Sequence, residues 1–201
     1  MHGVGPHTIS VPRIKRADDI DPGVFDNGID DATFCKIIAI IRIAVPYTGM
    51  IISTRENQAV REKALHLGIS QISGGSRYTE DVRPTDTEQF DVSDQRSLDE
   101  VIEWLMELGF LPSFCTACYR AGRTGDRFME LCKSKQIQNC CHPNALLTLK
   151  EYLEDYASPA TKALGEKLVQ AELPNIPQEK VREVCIERLQ KIAHGERDFR
   201  F

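Results

Sequence analysis

The stretch MIISTRE, residues 50–56, decides the fold class of this 201-residue chain. Its first four residues, 50–53, are three apolar residues followed by a serine, which is typical of a short buried strand. Ser53 and Glu56 then have the S-x-x-E spacing of a helix capping box, and the helix that it would start, at about residues 57–67, ends at Gly68. A buried strand that leads at once into a helix is the repeating unit of a parallel α/β fold.

The same pattern continues on both sides of MIISTRE. Upstream, residues 8–13 alternate apolar and polar side chains as a strand does, and residues 31–45 carry apolar side chains at helical spacing before Pro46. Downstream, residues 69–73 form a third strand-like segment, followed by two glycines. Strand, helix, strand, helix, strand with short connections predicts either a parallel α/β barrel or a doubly wound sheet. Three strands cannot close a barrel.

The second half of the chain has a different organisation. Residues 81–96 are polar and rich in turn-forming side chains, which predicts a surface connection between two domains, residues 1–80 and residues 97–201. Residues 97–201 are expected to be mainly α-helical. The apolar spacing and the helix-ending residues predict helices at about residues 97–109, 126–135, 144–156, 159–172 and 178–194.

Composition and charge exclude several classes of function. A net charge of −5 and the lack of any run of like charges argue against nucleic acid as a partner. The longest apolar stretch, residues 37–50, is interrupted by Arg42 and Pro46, so we expect no membrane span. The cysteine count of seven is odd and includes the adjacent pair Cys140 and Cys141, which favours metal binding in a reduced, cytoplasmic compartment over a disulfide framework.

The cysteine spacing points to a soft-metal site. Cys115, Cys118 and Cys141 are spaced C-x2-C-x22-C, so two thiolates could bind from one turn while a distant third closes the site. Cys140 and His142 lie beside the third cysteine, and spacing alone therefore leaves a tetrahedral zinc site open as an alternative to an iron–sulfur cluster. The other three cysteines are expected to be core residues: Cys35, Cys132 and Cys185.

Longer strings around these cysteines and strands resemble a known family. The strings are SFCTACYRAGRTGDRFM at residues 113–129, CCHPNALLTLKEYL at 140–153, GVGPHTISVPR at 3–13, PYTGMIISTRE at 46–56 and ISGGSRY at 72–78. They resemble the C-terminal region of the HydG family of [FeFe]-hydrogenase maturases, which are radical S-adenosylmethionine tyrosine lyases. The resemblance implies the last three strands of a (β/α) TIM-type barrel in residues 1–80, followed by the helical C-terminal domain.

The resemblance also implies a particular cofactor. In this family the three cysteines of the C-x2-C-x22-C motif bind an auxiliary [4Fe–4S] cluster, which carries over to Cys115, Cys118 and Cys141. Three thiolates for four irons leave one iron without a protein thiolate. In the family that iron is linked to a further iron and a free cysteine, and CO and cyanide made from L-tyrosine are assembled there for the hydrogenase. The resemblance also implies other hydrogenase maturation proteins as partners.

One departure from the family is equally informative. Reduction of S-adenosylmethionine needs a second [4Fe–4S] cluster on a C-x3-C-x2-C motif, and no three cysteines here have that spacing, since position 111 is Leu. We therefore expect the chain to be a C-terminal part that lacks the N-terminal half of the barrel and does not cleave S-adenosylmethionine or tyrosine unaided. Two alternatives stay open: a 2-iminoacetate synthase of thiamine biosynthesis, and a non-catalytic zinc-binding module.

Further candidate residues follow from barrel geometry, in which ligands meet the carboxyl ends of the strands. Arg55 follows the strand of MIISTRE, and its guanidinium could bind the tyrosine carboxylate through two parallel hydrogen bonds. Ser53 and Ser73 end neighbouring strands and could hydrogen-bond the substrate amine or carboxylate. Arg13 ends the first strand and is expected on the cofactor side. The alternatives are surface positions for the two arginines and simple strand caps for the two serines.

Overall fold

The computed structural model describes residues 6–14, 21–24, 28–75, 93–123 and 125–201. The chain divides into two compact units, residues 1–97 and 98–201. The predicted connection 81–96 lies outside the described residues up to residue 92. Within the described ranges, no helix combines the length and the apolar character needed to cross a membrane.

The first unit is built around a small parallel sheet. Its elements are β1 (Thr8–Ser10), α1 (Asp31–Ala44), β2 (Gly49–Ile52), α2 (Gln58–His66) and β3 (Gln71–Ile72), with a short 3-10 turn at Pro22–Val24. The strands lie in the order β1-β2-β3 and both pairs are parallel, with Ile9 opposite Met50 and Ile52 opposite Ile72. The predicted strand and helix order is confirmed, as a small parallel sheet with helices; the residues that the structure describes do not show a barrel.

The predicted capping box of α2 is wrong in detail. Asn57 caps the helix, because its side chain accepts a hydrogen bond from the Val60 N–H at 3.0 Å. The Ser53 hydroxyl instead accepts from the Arg55 N–H at 3.4 Å, and the Glu56 side chain pairs with Arg13. The S-x-x-E spacing therefore marks a turn between strand and helix, and the helix begins one turn later, with asparagine as its cap.

Helix α1 packs against α2, and both helices and β2 bury apolar side chains. Phe34 and Ile38 of α1 and Met50 of β2 are almost completely buried. Gly68 ends α2, as predicted, with a φ of 108° that a residue with a side chain rarely adopts. The layout leaves the carboxyl ends of β2 and β3, where the candidate binding residues follow, side by side at one edge of the sheet.

The second unit is helical, as predicted. Its helices are α3 (Leu98–Glu107), α4 (Ala117–Arg120), α5 (Gly125–Lys133), α6 (Cys141–Asp155), α7 (Pro159–Glu172) and α8 (Glu179–Ala193), with 3-10 turns at Gln136–Asn139 and Leu173–Asn175. Helix α6 lies at the centre and packs against α7 and α8, while α3 packs against α7. Leu146, Leu149 and Leu153 are completely or almost completely buried in this core. The short helix α4, which contains the predicted metal ligand Cys118, was not predicted.

Candidate metal centre

The three cysteines of the C-x2-C-x22-C motif lie at the starts of two helices. Cys115 lies two residues before α4, Cys118 is the second residue of α4, and Cys141 is the first residue of α6. All three are partly buried. The Cys115 sulfur accepts a hydrogen bond from the Ala117 N–H at 3.4 Å, which orients this side chain within the turn. The motif therefore presents its sulfurs from short, locally ordered backbone segments.

The thiols interact with one another. Cys141 forms thiol hydrogen bonds with both Cys140 and Cys118, and the charge of Cys115 also acts on Cys141. The hydrogen bond donated by Cys141 lowers the pKa of Cys140 to about 6, against the opposing effect of burial, and the positive charge of Arg123 acts in the same direction. The same hydrogen bond, followed by burial, raises the pKa of Cys141. The fold thus brings the three predicted ligands into one neighbourhood, with a cation beside them.

A fifth thiol lies in the same neighbourhood. Burial raises the pKa of Cys132, and the charges of Cys118 and Cys140 raise it further. Cys35 and Cys132 are only partly buried, so their prediction as core residues is wrong, whereas Cys185 is completely buried as predicted. The sequence signal for Cys132 was available in its position on α5, one helix before the third ligand, but helical periodicity alone does not reveal which side α5 presents to the cysteines.

The geometry gives no support to a zinc site that includes His142. The Nε2 atom of His142 lies 3.1 Å from the Glu172 carbonyl oxygen and 3.5 Å from its carboxylate, at the end of α7. Among the residues that the structure describes, no three histidine, cysteine or acidic side chains are grouped closely enough to hold a single metal ion. An iron–sulfur cluster at Cys115, Cys118 and Cys141 stays a prediction.

A pocket of about 760 Å³ opens beside Cys115. Phe114 and Tyr152 stack on one wall with ring centroids 5.1 Å apart, and Arg120 and Asp198 form part of another wall. Phe114 is tied to α6 because its N–H donates to the Thr148 hydroxyl at 3.2 Å. The segment just before the first predicted ligand is therefore held against the helix that begins with the last one.

A second group of predicted residues lies at the carboxyl edge of the sheet in the first unit. Ser53 and Ser73 directly follow the adjacent parallel strands β2 and β3, and the Ser73 N–H donates to the Ile52 carbonyl at 3.1 Å. Both serines are partly buried. The guanidinium of Arg61, which is completely buried, donates to the Ser73 carbonyl and pairs with the carboxylate of Asp94. The strand ends thus meet at one edge, as predicted, and their substrate-binding role stays a prediction.

Sequence reasoning missed Arg61 and Asp94. A fully buried arginine needs partners for its charge, because burial by itself disfavours the charged form and here lowers the pKa of Arg61. An arginine at an inward position of the α2 pattern was the available signal, but its partner lies more than thirty residues further on, at a distance that no periodicity connects.

Arg13 has a structural role in this unit. Its Nε donates to Glu56 at 2.9 Å, its Nη2 pairs with both Glu56 and Asp31 at 2.5 Å, and its guanidinium lies 4.6 Å from the centre of the Phe34 ring. The side chains of Arg13 and Glu56 are only 6% and 4% exposed. These partners join the segment after β1 to α1 and to the turn before α2. A contact with a cofactor stays a prediction.

The chain is similar to a known protein family and to two solved structures. The family model of the Biotin and Thiamin Synthesis associated domain matches residues 10–111, just over half of the chain. The chain belongs to this family. The matched residues include β2, β3, helices α1 to α3 and the residues that follow the strands. The cysteine motif begins just after the matched part.

Two solved structures extend the likeness over the cysteine motif. A HydG maturase of the [FeFe]-hydrogenase is 51% identical, with a TM-score of 0.93 over 100% of this chain and 44% of that one. The HydG of Carboxydothermus hydrogenoformans is 39% identical, with a TM-score of 0.68 over 93% of this chain and 40% of that one. The chain thus spans less than half the length of either. A search among curated proteins found no match.

Proposed function

We propose that the chain is the C-terminal part of a HydG-type [FeFe]-hydrogenase maturase and carries its auxiliary iron–sulfur site. The observation that carries the proposal is the 51% identity to a HydG structure along the whole chain, at a TM-score of 0.93. The interacting thiols of Cys115, Cys118 and Cys141 support the same assignment, because they supply soft donors at the motif that the resemblance singles out.

In this proposal Cys115, Cys118 and Cys141 hold a [4Fe–4S] cluster. When bound, the cluster supplies one iron that no protein thiolate occupies, to which small ligands and a further iron can attach. The chain's own contribution is to present three sulfurs, which lose their protons when they bind iron, from the starts of α4 and α6 and to place the guanidinium of Arg123 near them. A cation close to thiolates stabilises their negative charge and raises the reduction potential of what they hold.

The carboxyl edge of the sheet is proposed to bind L-tyrosine in the complete enzyme. Arg55 would bind the substrate carboxylate, and Ser53 and Ser73 would hydrogen-bond its amine or carboxylate. Arg61 supports this edge, since it holds the Ser73 carbonyl from a completely buried position. Arg13 is proposed for the S-adenosylmethionine side, through the turn that it orders with Glu56.

The complete enzyme is proposed to be a cytoplasmic radical S-adenosylmethionine lyase that breaks a carbon–carbon bond of tyrosine and works with other hydrogenase maturation proteins. S-Adenosylmethionine and the second [4Fe–4S] cluster belong to a part that this sequence does not contain, since it has no C-x3-C-x2-C motif. We expect the chain alone to bind the auxiliary cluster without cleaving S-adenosylmethionine.

Anaerobic reconstitution with iron and sulfide tests the proposal. The chain should bind close to four irons and develop a broad absorption band at about 400 nm, from charge transfer between thiolate and iron. The variant Cys118→Ser should lose most of this band. Cys132→Ser is the matched control, because Cys132 lies in the same thiol neighbourhood but outside the motif, and it should keep the band. A colourless protein with one tightly bound zinc, or equal loss in both variants, would contradict the proposal.

The alternative is a 2-iminoacetate synthase of thiamine biosynthesis, which the match to the Biotin and Thiamin Synthesis associated domain favours. A synthase of this kind would not need the cysteine motif of residues 115–141 as a cluster site. A chain that binds no iron at Cys115, Cys118 and Cys141 after reconstitution would support the synthase and count against the maturase.

A further inference from the structure

The loop between the second and third motif cysteines is joined to α6 through the segment of residues 198–201. Arg123, in that loop, donates from Nη2 to the Phe201 carbonyl oxygen at 2.8 Å. The Phe201 N–H in turn donates to the side-chain oxygen of Asn144 at 2.8 Å, and the Asn144 side-chain nitrogen lies 3.4 Å from the Phe201 carbonyl oxygen. Phe201 thus forms a bridge between the loop and the first turn of α6.

Asn144 connects this bridge directly to the motif. Its backbone N–H donates to the Cys140 carbonyl at 3.0 Å, and its side chain is buried, since the residue is only 2% exposed. A buried amide that keeps all its hydrogen bonds holds its partners in one arrangement, because each lost partner would leave a polar group without water. The position of Phe201 therefore depends on the same turn that presents Cys141.

A second bridge runs in parallel. The Arg120 guanidinium pairs with the Asp198 carboxylate, with one bond of 2.9 Å, and the Asp198 N–H donates to Glu151 of α6 at 2.7 Å. The Arg120 and Asp198 side chains are about half exposed, at 48% and 61%, so this ion pair is the weaker of the two bridges. Asp198 nevertheless has a φ of 68°, a left-handed conformation that costs energy for a residue with a side chain and is kept by its neighbours' hydrogen bonds.

The segment is also anchored on α8. The Arg188 guanidinium lies 4.4 Å from the centre of the Phe201 ring and donates to the Arg200 carbonyl at 2.9 Å. The segment is thus fixed on one side by α8. From there it reaches Arg120 of α4, Arg123 in the loop after α4, and Asn144 and Glu151 on α6.

From these contacts we propose that residues 198–201 are a strap that positions α4 and the loop that follows it, with Arg123 and Asn144 as positioning residues. Helix α4 carries Cys118, and α6 begins with Cys141, so the strap sets the distance between two of the three predicted ligands. The inference rests on the proposed function in so far as those cysteines hold a cluster. The role in ordering the loop is a property of the metal-free chain and can be measured without iron.

Amide hydrogen exchange of the metal-free chain tests the strap. Three proteins are compared with the full chain: a chain ended after Arg197, the variant Asn144→Ala, and the control Glu187→Gln, which breaks an exposed pair with Lys191 on α8. In the shortened chain and in Asn144→Ala, loss of a hydrogen bond to a charged or buried group should make exchange in residues 115–123 about tenfold faster. The control Glu187→Gln should exchange at the rate of the full chain. Exchange within α7 should stay unchanged, which shows that the rest of the unit remains folded.

A spectroscopic measurement separates positioning from general stability. After reconstitution and reduction, the electron paramagnetic resonance spectrum of Asn144→Ala should differ from that of the full chain, while Glu187→Gln gives the same spectrum as the full chain. Unchanged exchange in residues 115–123, or identical spectra, overturns the strap even if the cluster binds. A full chain that takes up no iron overturns the proposed function, and the exchange comparison then decides on the strap by itself. Asn144→Ala keeps every residue of the strap and gives the answer if the shortened chain does not fold.

Discussion

Asp99 joins three helices of the second unit, which makes its removal a sharp test of how α6 is held. One carboxylate oxygen accepts from the Tyr152 hydroxyl of α6 at 3.0 Å. The other accepts from the Ser158 N–H at 3.3 Å and from the Thr161 hydroxyl at 2.9 Å, at the start of α7. Asp99 itself lies on α3. We predict that Asp99→Ala destabilises the second unit substantially.

The expected size follows from these three bonds. A hydrogen bond to a charged group contributes about 1.5–3 kcal/mol, and the contributions of neighbouring bonds do not add fully. Asp99 is partly exposed, so water can replace some of what is lost, but Thr161 is completely buried and would lose its acceptor. We therefore expect a loss of about 2–3 kcal/mol for Asp99→Ala and of about 1 kcal/mol for Asp99→Asn, which keeps one acceptor.

Urea unfolding of the full chain measures this loss. Trp104 is the only tryptophan of the sequence and is buried in the second unit, so its fluorescence reports on this unit without a contribution from the first. The control is Asp126→Ala, which removes an exposed carboxylate of α5. A loss below about 0.5 kcal/mol for Asp99→Ala, which is typical of an ordinary surface substitution, would refute the reasoning.

The pH dependence of the unfolding free energy is a second test of the role of Asp99. Burial raises the pKa of Asp99, but the hydrogen bonds from Ser158, Thr161 and Tyr152 outweigh burial and leave it lowered. A carboxyl with a lowered pKa in the folded state adds stability above its unfolded pKa of about 3.9, and that stability disappears as the pH falls through the folded value. The difference between the native chain and Asp99→Asn should thus be full at neutral pH and shrink in strongly acidic solution.

Two further substitutions test the packing of each unit. Gly165→Ala should lower the unfolding free energy by about 1–2 kcal/mol, because a Cβ atom there would lie 2.5 Å from a Leu153 methyl. Thermal unfolding measures this loss. Helix propensity alone predicts that alanine stabilises the helix, so a stabilised protein would contradict the prediction. Arg13→Met should make exchange in β2 faster, since it removes the guanidinium that pairs with the buried Glu56 carboxylate, at a cost of about 3–5 kcal/mol. The exposed control Lys63→Met should not change this exchange, and equal exchange in both variants would count against the pair.

Much of the fold was predictable because its elements depend on local patterns. The alternation in residues 8–13, the helical spacing in residues 31–45 and Gly68 each predicted an element that the structure confirms. The cap of α2 was not, because two side chains, Ser53 and Asn57, both suit the role, and the choice depends on where Glu56 finds its partner. That partner, Arg13, lies forty-three residues away.

The sequence by itself determined the candidate donors at the metal centre: the spacing of Cys115, Cys118 and Cys141 indicated a soft-metal site, and the surrounding strings favoured a four-iron cluster. Only the tertiary structure decided what else surrounds those cysteines. It placed Cys132 and Arg123 beside them and used Phe201 to join their loop to α6. The physical reason is the sequence separation of the residues involved. Ligand spacing and helix periodicity are properties of neighbouring residues, whereas a shared charge or a buried hydrogen bond depends on the packing of helices that are far apart in the chain.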